Sequence, residues 1–174
     1  VVFTASGRQG SAREAERQVG GALTLMQQGD FAAAQATFQQ VYQRFGGHHA
    51  AAARFFAAEC ELRQGRFYEA LAGFDGYLQQ AGKYPVFRES AMSGKALCHE
   101  GLGDFALAGE TLANLLEMLD EKDPRYLDSA FQAGEFFAKA GDKDRAATHF
   151  RLVSDKGSGN LKDRAGVALA MLGR

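Results

Sequence analysis

The side chains best suited to metal binding or acid–base chemistry in this chain are its four histidines, and none of them lies in a catalytic pattern. His48 and His49 are adjacent and follow Gly46 and Gly47. A zinc site needs further Cys, His or carboxylate ligands beside such a pair. We therefore expect His48 and His49 to lie in a solvated, glycine-rich turn rather than in a metal site.

The other two histidines also lack the partners that a reactive site requires. His99 follows Cys98 on a predicted helix, where neighbouring side chains point about 100° apart and cannot easily hold one ion. His149 stands beside a predicted core residue, Phe150, and is expected to face outward. Nucleophilic catalysis needs a nucleophile, a base and an orienting group together, and the carboxylates are scattered along the chain. We predict no enzyme activity, no metal site and no cofactor.

Nucleotide and nucleic-acid binding are not supported either. The glycine-containing segments, such as Gly157-Ser158-Gly159-Asn160, lack the preceding strand and the following Lys-Ser/Thr of a phosphate-binding loop. Lys and Arg total 20 and Asp and Glu total 21, so the formal charge is −1 and there is no general attraction to nucleic acid or anionic membranes. No run of 18 apolar residues is present, so no membrane insertion by this segment is expected.

An internal repeat in the sequence predicts the helices that would position any functional site. Its anchors are four glycines spaced 36, 38 and 38 residues apart (29 to 65, 65 to 103 and 103 to 141). Each glycine is followed five residues later by alanine, nine residues later by Phe or Leu, and twelve residues later by another apolar residue. Such a period predicts an array in which each unit packs on its neighbours.

Each unit is predicted to be a pair of helices with the glycine between them. Glycine ends the first helix, and Asp30 can cap the second helix of unit one. Pro124 suits a helix start behind a capping Asp123. Ser11 and Glu14 can form a capping box, which leaves residues 1–10 as a disordered lead-in or a remnant of the expression vector. The predicted units cover 11–45, 48–81, 85–120 and 124–155, and a capping helix covers 160–173.

The two cysteines occupy equivalent positions. Cys60 and Cys98 each lie five residues before an anchor glycine, and equivalent helices of successive units are separated by about 8–10 Å or more. That distance exceeds the roughly 7 Å Cα limit of a disulfide. We predict that both cysteines are small buried core residues.

This repeat resembles the tetratricopeptide family from about Ser11 to the end of the chain. The resemblance rests on Gly followed by Asp-Phe, on the alanine and large apolar residue behind it, and on a small residue seven before each glycine (Ala22, Ala58, Ala96 and Gly134). Lys143 replaces the expected aromatic residue in unit four. The resemblance implies an all-α fold, a right-handed superhelix (α-solenoid) of about four helix pairs plus a C-terminal capping helix. The long units and their loops are similar to those of bacterial cell-envelope members of the family.

The resemblance also implies a binding surface. In this family the first helix of each pair lines a concave groove, and positions six, three and two before each glycine face it. A second interpretation treats these positions as an ordinary solvated helix face. The candidate partner-binding residues are Leu23, Met26, Gln27, Glu59, Leu62, Arg63, Leu97, Glu100, Glu135 and Lys139.

Two further candidates come from adjacent phenylalanine pairs in first helices. In Phe55-Phe56 and Phe136-Phe137 one ring can pack inside its own unit. The other ring must face a neighbouring unit or the groove. Phe55 and Phe136 are therefore candidates for the inter-repeat core first and for an apolar binding patch second.

These features predict a non-enzymatic scaffold that binds a peptide or partner helix, with a bacterial envelope assembly or secretion-associated complex as one setting. The alternatives are a homo-oligomerisation module that uses exposed terminal helices to form a homodimer and an accessory domain of a larger protein. Because the chain begins with Val1 rather than Met, we expect it to be a fragment of a longer product, and a signal peptide or membrane anchor would lie in the upstream part. A periplasmic or membrane-anchored location is therefore favoured over a cytoplasmic one.

Overall fold

Nine α-helices and one 3-10 turn make up the repeat fold in the part of the chain that the structure describes. This structure is a computed structural model, which describes the backbone of residues 3–173 and the side chains of residues 10–173. Those residues contain no strand, and the all-α helical repeat fold is confirmed. The helices are α1 (Phe3–Gln27), α2 (Phe31–Arg44), α3 (Gly47–Arg63), α4 (Phe67–Leu78), α5 (Arg88–Leu102), α6 (Phe105–Leu116), α7 (Pro124–Lys139), α8 (Lys143–Lys156) and α9 (Gly159–Met171), with the 3-10 turn at Pro85–Phe87 before α5.

The chain divides into two compact units, whose boundary falls inside α5. The N-terminal unit is Val1–Gly94 and the C-terminal unit is Lys95–Arg174. In the N-terminal unit α1 packs on α2 and α3, and α3 packs on α4. In the C-terminal unit α6 packs on α7, α7 on α8, and α8 on α9. The prediction of one continuous repeat domain stays a prediction.

The four anchor glycines form the same helix-ending turn. Gly29, Gly65, Gly103 and Gly141 have φ between 73° and 82°, a left-handed conformation that L side chains adopt only with strain. Each glycine N–H donates to the carbonyl three residues earlier, and the following N–H donates to the carbonyl four residues before the glycine. These are the paired hydrogen bonds of a Schellman motif, and they turn the chain directly into the second helix.

Acidic side chains cap some of the following helices but not all of them. Asp30 Oδ1 accepts from the Ala33 N–H at 3.0 Å, and Asp142 Oδ1 accepts from the Arg145 N–H at 3.0 Å. Asp123 accepts from the Arg125 N–H at 2.9 Å, with Pro124 in the first turn of α7. The predicted caps at Asp30 and Asp123 are confirmed. Asp104 makes no such bond to the start of α6.

The repeated apolar positions form the core of both units. The alanines five residues after each anchor glycine, the large residues nine after it and the apolar residues twelve after it are all at most 3% exposed. Cys60 and Cys98 are also fully buried, as predicted. Full burial of a large apolar side chain contributes about 1.5–3 kcal/mol, so these positions supply much of the stability of each unit.

Small residues allow the helices to approach closely. A Cβ added to Gly134 would lie 2.7 Å from Cε1 of Phe150, and one added to Gly73 would lie 2.7 Å from Cβ of Ala58. Contacts that short do not occur between real side chains, so a larger residue would force the helices apart. These positions explain why a small residue recurs seven before each anchor glycine.

Several expected boundaries differ from the structure. α1 begins at Phe3 rather than at Ser11, so residues 3–10 are helical, while Val1 and Val2 lie outside the described residues. Ser11 therefore lies within the helix and forms no capping box. Instead, Glu14 accepts from Arg17 at 2.7 Å and Gln18 at 2.6 Å. Residues 3–10 contain no proline, and glycine costs a helix only about 1 kcal/mol relative to alanine.

The predicted histidine turn is also helical. His48 and His49 belong to the first turn of α3, where their rings lie 3.8 Å apart. His48 is exposed and His49 is half-buried.

Candidate partner-binding surface

The predicted groove positions lie on α1 and α3 in the N-terminal unit and on α5 and α7 in the C-terminal unit. We call the positions six, three and two before each anchor glycine the first-helix face. Residues two before each anchor glycine are exposed in all four repeats, and residues three before it are half-buried in all four. Residues six before it are half-buried except Leu97, which is 46% exposed. Apart from Leu97, each of the three positions has the same exposure in all four repeats.

In the N-terminal unit the first-helix face is partly apolar. Leu23 and Met26 on α1 pack against the core that contains Ala22 and Cys60, while each keeps part of its surface open. On α3, burial raises the pKa of Glu59, and the nearby Arg63 opposes this shift. Gln27 and Arg63 are exposed beside these residues. This part of the face combines apolar contact area with a half-buried carboxylate and an exposed cation.

In the C-terminal unit the charged residues of the face are paired. Lys139 Nζ on α7 donates to Glu100 Oε1 on α5 at 2.9 Å, and it lies 5.3 Å from the ring centroids of Phe105 and Phe136. Both charged side chains are partly exposed, so the pair contributes only about 0–1 kcal/mol to stability. The pair orders the two side chains across neighbouring first helices.

A second pair continues the same arrangement toward α9. Arg164 lies 3.8 Å from Glu135 Oε1, and its Cζ is 4.3 Å above the ring of Phe131. Glu135 thus has a cation from α9 beside it, at a longer distance than the hydrogen-bonded Lys139–Glu100 pair. The residues brought together here include Arg164, which the sequence analysis left out because it lies outside the four glycine-anchored repeats.

Phe55 and Phe136 do not contribute exposed surface. Both are 5% exposed. The Phe55 ring is stacked on Phe87 at 4.6 Å and also contacts Phe56, Phe74 and Tyr77. The core interpretation of these residues is therefore the one that the structure shows, and neither belongs to the candidate surface. α3 turns its Phe55 side toward α4 and the 3-10 turn, which a helical pattern alone did not indicate.

A buried polar network links α2 to α3 and was missed by the sequence interpretation. Gln35 Nε2 donates to Glu61 Oε1 at 2.9 Å, and Arg66 donates to Gln35 Oε1 at 3.4 Å. Gln35 is 9% exposed and Glu61 is 7% exposed. Burial raises the pKa of Glu61, while Arg66 and the bond from Gln35 act against that shift. We assign this network to repeat packing, since buried polar groups are stable only when they are hydrogen-bonded.

His149 is more buried than expected. Its ring is stacked on Phe137 at 5.4 Å, and its Nδ1 is buried without a hydrogen-bond partner among the described residues. The expectation that His149 faces outward is wrong, because α8 presents this position to α7. Burial lowers the pKa of His149, and the nearby Arg145 lowers it further.

Metal-ligating side chains are not clustered in this fold. Within the part of the chain that the structure describes, no three His, Cys, Asp or Glu side chains are grouped closely enough to hold a metal ion. None of the helices in that part is both long and apolar enough to cross a membrane.

Comparison with known proteins agrees with the repeat geometry. Residues 19–85 match the family model described as Tetratricopeptide repeat. No curated protein matches the chain significantly. The match covers parts of the first two repeats, while the third and fourth repeats share their turn geometry.

Solved structures of repeat proteins have a similar fold. The TPR-like repeats of a putative kinesin light chain from Podosopora anserina align with a TM-score of 0.70 and 16% identity, covering 90% of this chain and 84% of that one. A form of the same protein with one substituted residue gives a TM-score of 0.69, also at 16% identity and with the same coverage. BtubC (BKLC) from P. vanneervenii gives 0.66 at 15% identity, covering 94% and 80% of the two chains. At these identities the similarity establishes the fold alone.

Proposed function

On the premise that this chain is a tetratricopeptide repeat protein, we propose that it is a non-enzymatic interaction module that binds a peptide or a helix of a partner protein on its first-helix face. The family generally mediates protein–protein interaction. The observation that carries the proposal is the repeated gradient of exposure on the first helices. The residue types on this gradient change from repeat to repeat, whereas the core positions keep their character. A specific binding surface requires side chains that differ from repeat to repeat on helices whose packing stays the same.

The composition of the face supports a partner with both apolar and charged groups. Half-buried Leu23, Met26 and Leu62 offer apolar contacts, and Arg63 and Lys139 offer cations. Such a mixture suits an amphipathic helix or an extended peptide better than a uniformly charged ligand.

The test uses charge variants that keep the ion pair of the C-terminal unit. Peptides selected from a displayed library against the folded chain are titrated against the wild type, against Arg63→Glu and against the double variant Glu100→Lys/Lys139→Glu. The double variant inverts the charges and can still form the pair, so a loss of binding does not arise from a broken contact. Arg151→Glu on the exposed side of α8 is the control.

We expect both first-helix variants to weaken binding at least about tenfold, a change of about 1.4 kcal/mol, while the control binds like the wild type. Equal loss in the control, or no loss in either first-helix variant, would contradict the proposal.

A homo-oligomer is the second candidate, and one observation favours it. On α9, Val167 is 60% exposed and Met171 is 83% exposed. Two large apolar residues on the outer side of a terminal helix suit a contact with a second copy. Light scattering of the wild type and of Val167→Lys/Met171→Lys over a range of concentrations decides this. A dimer that the double variant abolishes would support self-association.

We further propose a bacterial envelope assembly or secretion-associated complex as the setting. This proposal rests on the long repeats and the loops around Lys83-Tyr84-Pro85 and Asp123-Pro124-Arg125. Fractionation of the source cells, with detection of the full gene product, tests it. Recovery in the cytoplasmic fraction alone would overturn the envelope setting and leave the interaction proposal intact.

A further inference from the structure

A cavity of about 530 Å³ opens in the N-terminal unit, between the end of α2, the start of α3 and the loop after α4. We call it the end pocket and define it by Tyr42, Arg54, Gln79, Gln80, Lys83 and Tyr84. None of the first-helix face residues lines it. It is therefore a separate feature from the surface described above.

The charge of the end pocket has one sign. Arg54 and Lys83 both line it, and no acidic residue does so among the described residues. Neither cation forms an ion pair in the part of the chain that the structure describes. Arg54 Cζ instead lies 5.1 Å from the Tyr42 ring centroid, and Lys83 Nζ lies 5.4 Å from that of Tyr84. Both cations rest on aromatic faces, which leaves their N–H groups available to an acceptor.

The carboxylates of the adjoining cavity have other partners. Arg54 and Tyr42 also border an adjoining cavity of about 270 Å³ that Glu61 and Glu69 line. Glu61 accepts from Gln35 at 2.9 Å, and Glu69 pairs with Arg66 at 3.2 Å. Arg54 is therefore not neutralised by either of them.

The Arg54 guanidinium has two neighbours in the unit. A Cβ added to Gly76 would lie 2.2 Å from Arg54 Nη1, so the end of the Arg54 side chain lies directly against the backbone of Gly76. The Arg54 Cζ also lies 5.1 Å from the Tyr42 ring centroid. A planar guanidinium that already has such contacts loses less freedom when it binds a carboxylate.

The loop wall of the end pocket is also fixed. The Tyr77 hydroxyl donates to the Tyr84 carbonyl at 2.5 Å and accepts from the Phe87 N–H at 2.9 Å. Tyr77 is itself 1% exposed, so these bonds tie the loop that carries Lys83 and Tyr84 to the core of the unit.

Repeat geometry does not account for these residues. Arg54 lies eleven residues before Gly65, and the equivalent positions before the other anchors are Gln18, Met92 and Ala130. Tyr42 lies thirteen residues after Gly29, and its equivalents are Leu78, Leu116 and Ser154. Gly76 corresponds to Gln40, Asn114 and Leu152. The combination of an arginine, a tyrosine beside it and a glycine against it occurs in this unit and not at the equivalent positions of the other repeats.

We propose that the end pocket binds carboxylate side chains of an acidic peptide segment, with Arg54 as the main contact and Lys83 as a second cation. This inference rests on the proposed function, because it takes the carboxylates to be those of a protein partner. A guanidinium binds carboxylate in two parallel hydrogen bonds, and the amides of Gln79 and Gln80 and the tyrosine hydroxyls supply further donors.

The experiment is a calorimetric titration of the intact chain with two blocked peptides, acetyl-Ala-Glu-Glu-Glu-Ala-amide and the same peptide with Gln in place of Glu. The variants are Arg54→Gln and Lys83→Gln, and the control is Arg13→Gln, an exposed cation on α1 outside the pocket. Circular dichroism melts show which variants are folded. Since Lys83 is exposed on the loop, its variant tests the proposal even where Arg54→Gln is unstable.

We expect the Glu peptide to bind and the Gln peptide to bind at least about tenfold more weakly. Arg54→Gln should weaken binding of the Glu peptide about 10- to 100-fold, which is the range expected for a lost hydrogen bond to a charged group. Lys83→Gln should weaken the binding of this peptide by a smaller factor. Arg13→Gln should bind like the wild type.

Three results would overturn the proposal: equal binding of the two peptides, unchanged binding by folded Arg54→Gln and Lys83→Gln, or an equal loss in Arg13→Gln. Tighter binding of inorganic phosphate than of the Glu peptide would assign the pocket to another anion and would also overturn it. The charge variants of the first-helix face lie outside this pocket. Their loss of partner binding would persist if the end pocket failed, so the two proposals fail separately.

Discussion

Ala70 and Ala108 are fully buried, as are the equivalent Ala34 and Ala146. Protein interiors are close-packed, so a fully buried methyl group leaves little room for a longer side chain. We therefore expect these positions to tolerate only a small residue.

Replacing Ala70 or Ala108 by leucine should therefore destabilise the chain by about 1–3 kcal/mol or more through overpacking. The free energy of unfolding from urea denaturation measures the effect. Ala72→Leu on α4 and Ala106→Leu on α6 are matched controls, because both positions are exposed on the same helices. If the buried and exposed substitutions had equal effects, the assigned register would be wrong.

His149 is a second residue whose environment gives a measurable consequence. Burial on Phe137 and the nearby Arg145 lower its pKa in the folded chain below the usual 6.5. The unfolded chain then binds more protons than the folded chain as the pH falls below about 6.5, so protonation favours unfolding. The neutral His149 contributes its full stabilisation above about pH 6.5, and this stabilisation is lost as the pH falls toward the pKa of His149 in the folded chain.

We predict that protonation of His149 lowers the free energy of unfolding as the pH falls from about 7.5 to about 5, and that His149→Phe removes this part of the pH dependence. The raised pKa values of Glu59 and Glu61 act in the opposite direction, in the wild type and the variant alike. The phenyl ring keeps the stacking contact and removes the titration. The pKa of His49 is also lowered by burial, so part of the decline should remain in the variant. A folded-state titration of His149 by NMR with a pKa at or above the usual 6.5, or an unchanged slope in the variant, would refute the prediction.

At the scale of the element, each second helix starts directly after a left-handed glycine. The Schellman bonds satisfy carbonyls at the end of the first helix, and an aspartate satisfies an N–H at the start of the second. The glycine turn is present in all four repeats, but the side-chain cap is not. Asp30 and Asp142 bond to their helices, whereas Asp104 does not.

This difference predicts unequal effects of one substitution at two equivalent sites. Asp30→Ala removes the bond to the Ala33 N–H and should cost about 0.5–2 kcal/mol. Asp104→Ala removes no such bond, so its effect on the urea midpoint should be clearly smaller. Equal destabilisation by the two variants would show that the caps do not differ as described.

At the scale of the whole molecule, we predict that α9 covers the apolar face of the α7–α8 pair. α9 buries Ala165 and places Arg164 over the ring of Phe131, while Val167 on its outer side stays 60% exposed. An array whose last pair lacks this cover exposes the apolar face of that pair to water.

Deleting residues 159–174 should lower the melting temperature by several degrees, since about 1 kcal/mol corresponds to roughly 2–4 °C in a chain of this size. Val167→Lys is the matched control, because it changes α9 only on its outer side and should melt within a degree or two of the wild type. A truncated chain that melts like the wild type would show that α9 does not act as a cap.

Much of this architecture was predictable from local pattern. The repeat period predicted the four glycine turns, the alanine and phenylalanine positions of the core and the last helix of the chain. Each of these features depends on a residue type at a fixed offset within one repeat. The candidate positions on the first helices came from the resemblance to the repeat family, and their role in binding stays a prediction. The pairing of Lys139 with Glu100 was not predictable, because the two residues lie on different helices and meet only when those helices pack.

The sequence by itself therefore determined the repeat, the turns and the small buried residues, all of which are coded over a few neighbouring positions. Only the tertiary structure decided that Phe55 is buried, that His149 lies against Phe137, and that the end of Arg54 lies against Gly76. Each of these depends on which side chains two helices bring together. The pairing of those side chains depends on how the helices cross in three dimensions. The crossing cannot be read from residue spacing, because the residues involved differ from repeat to repeat.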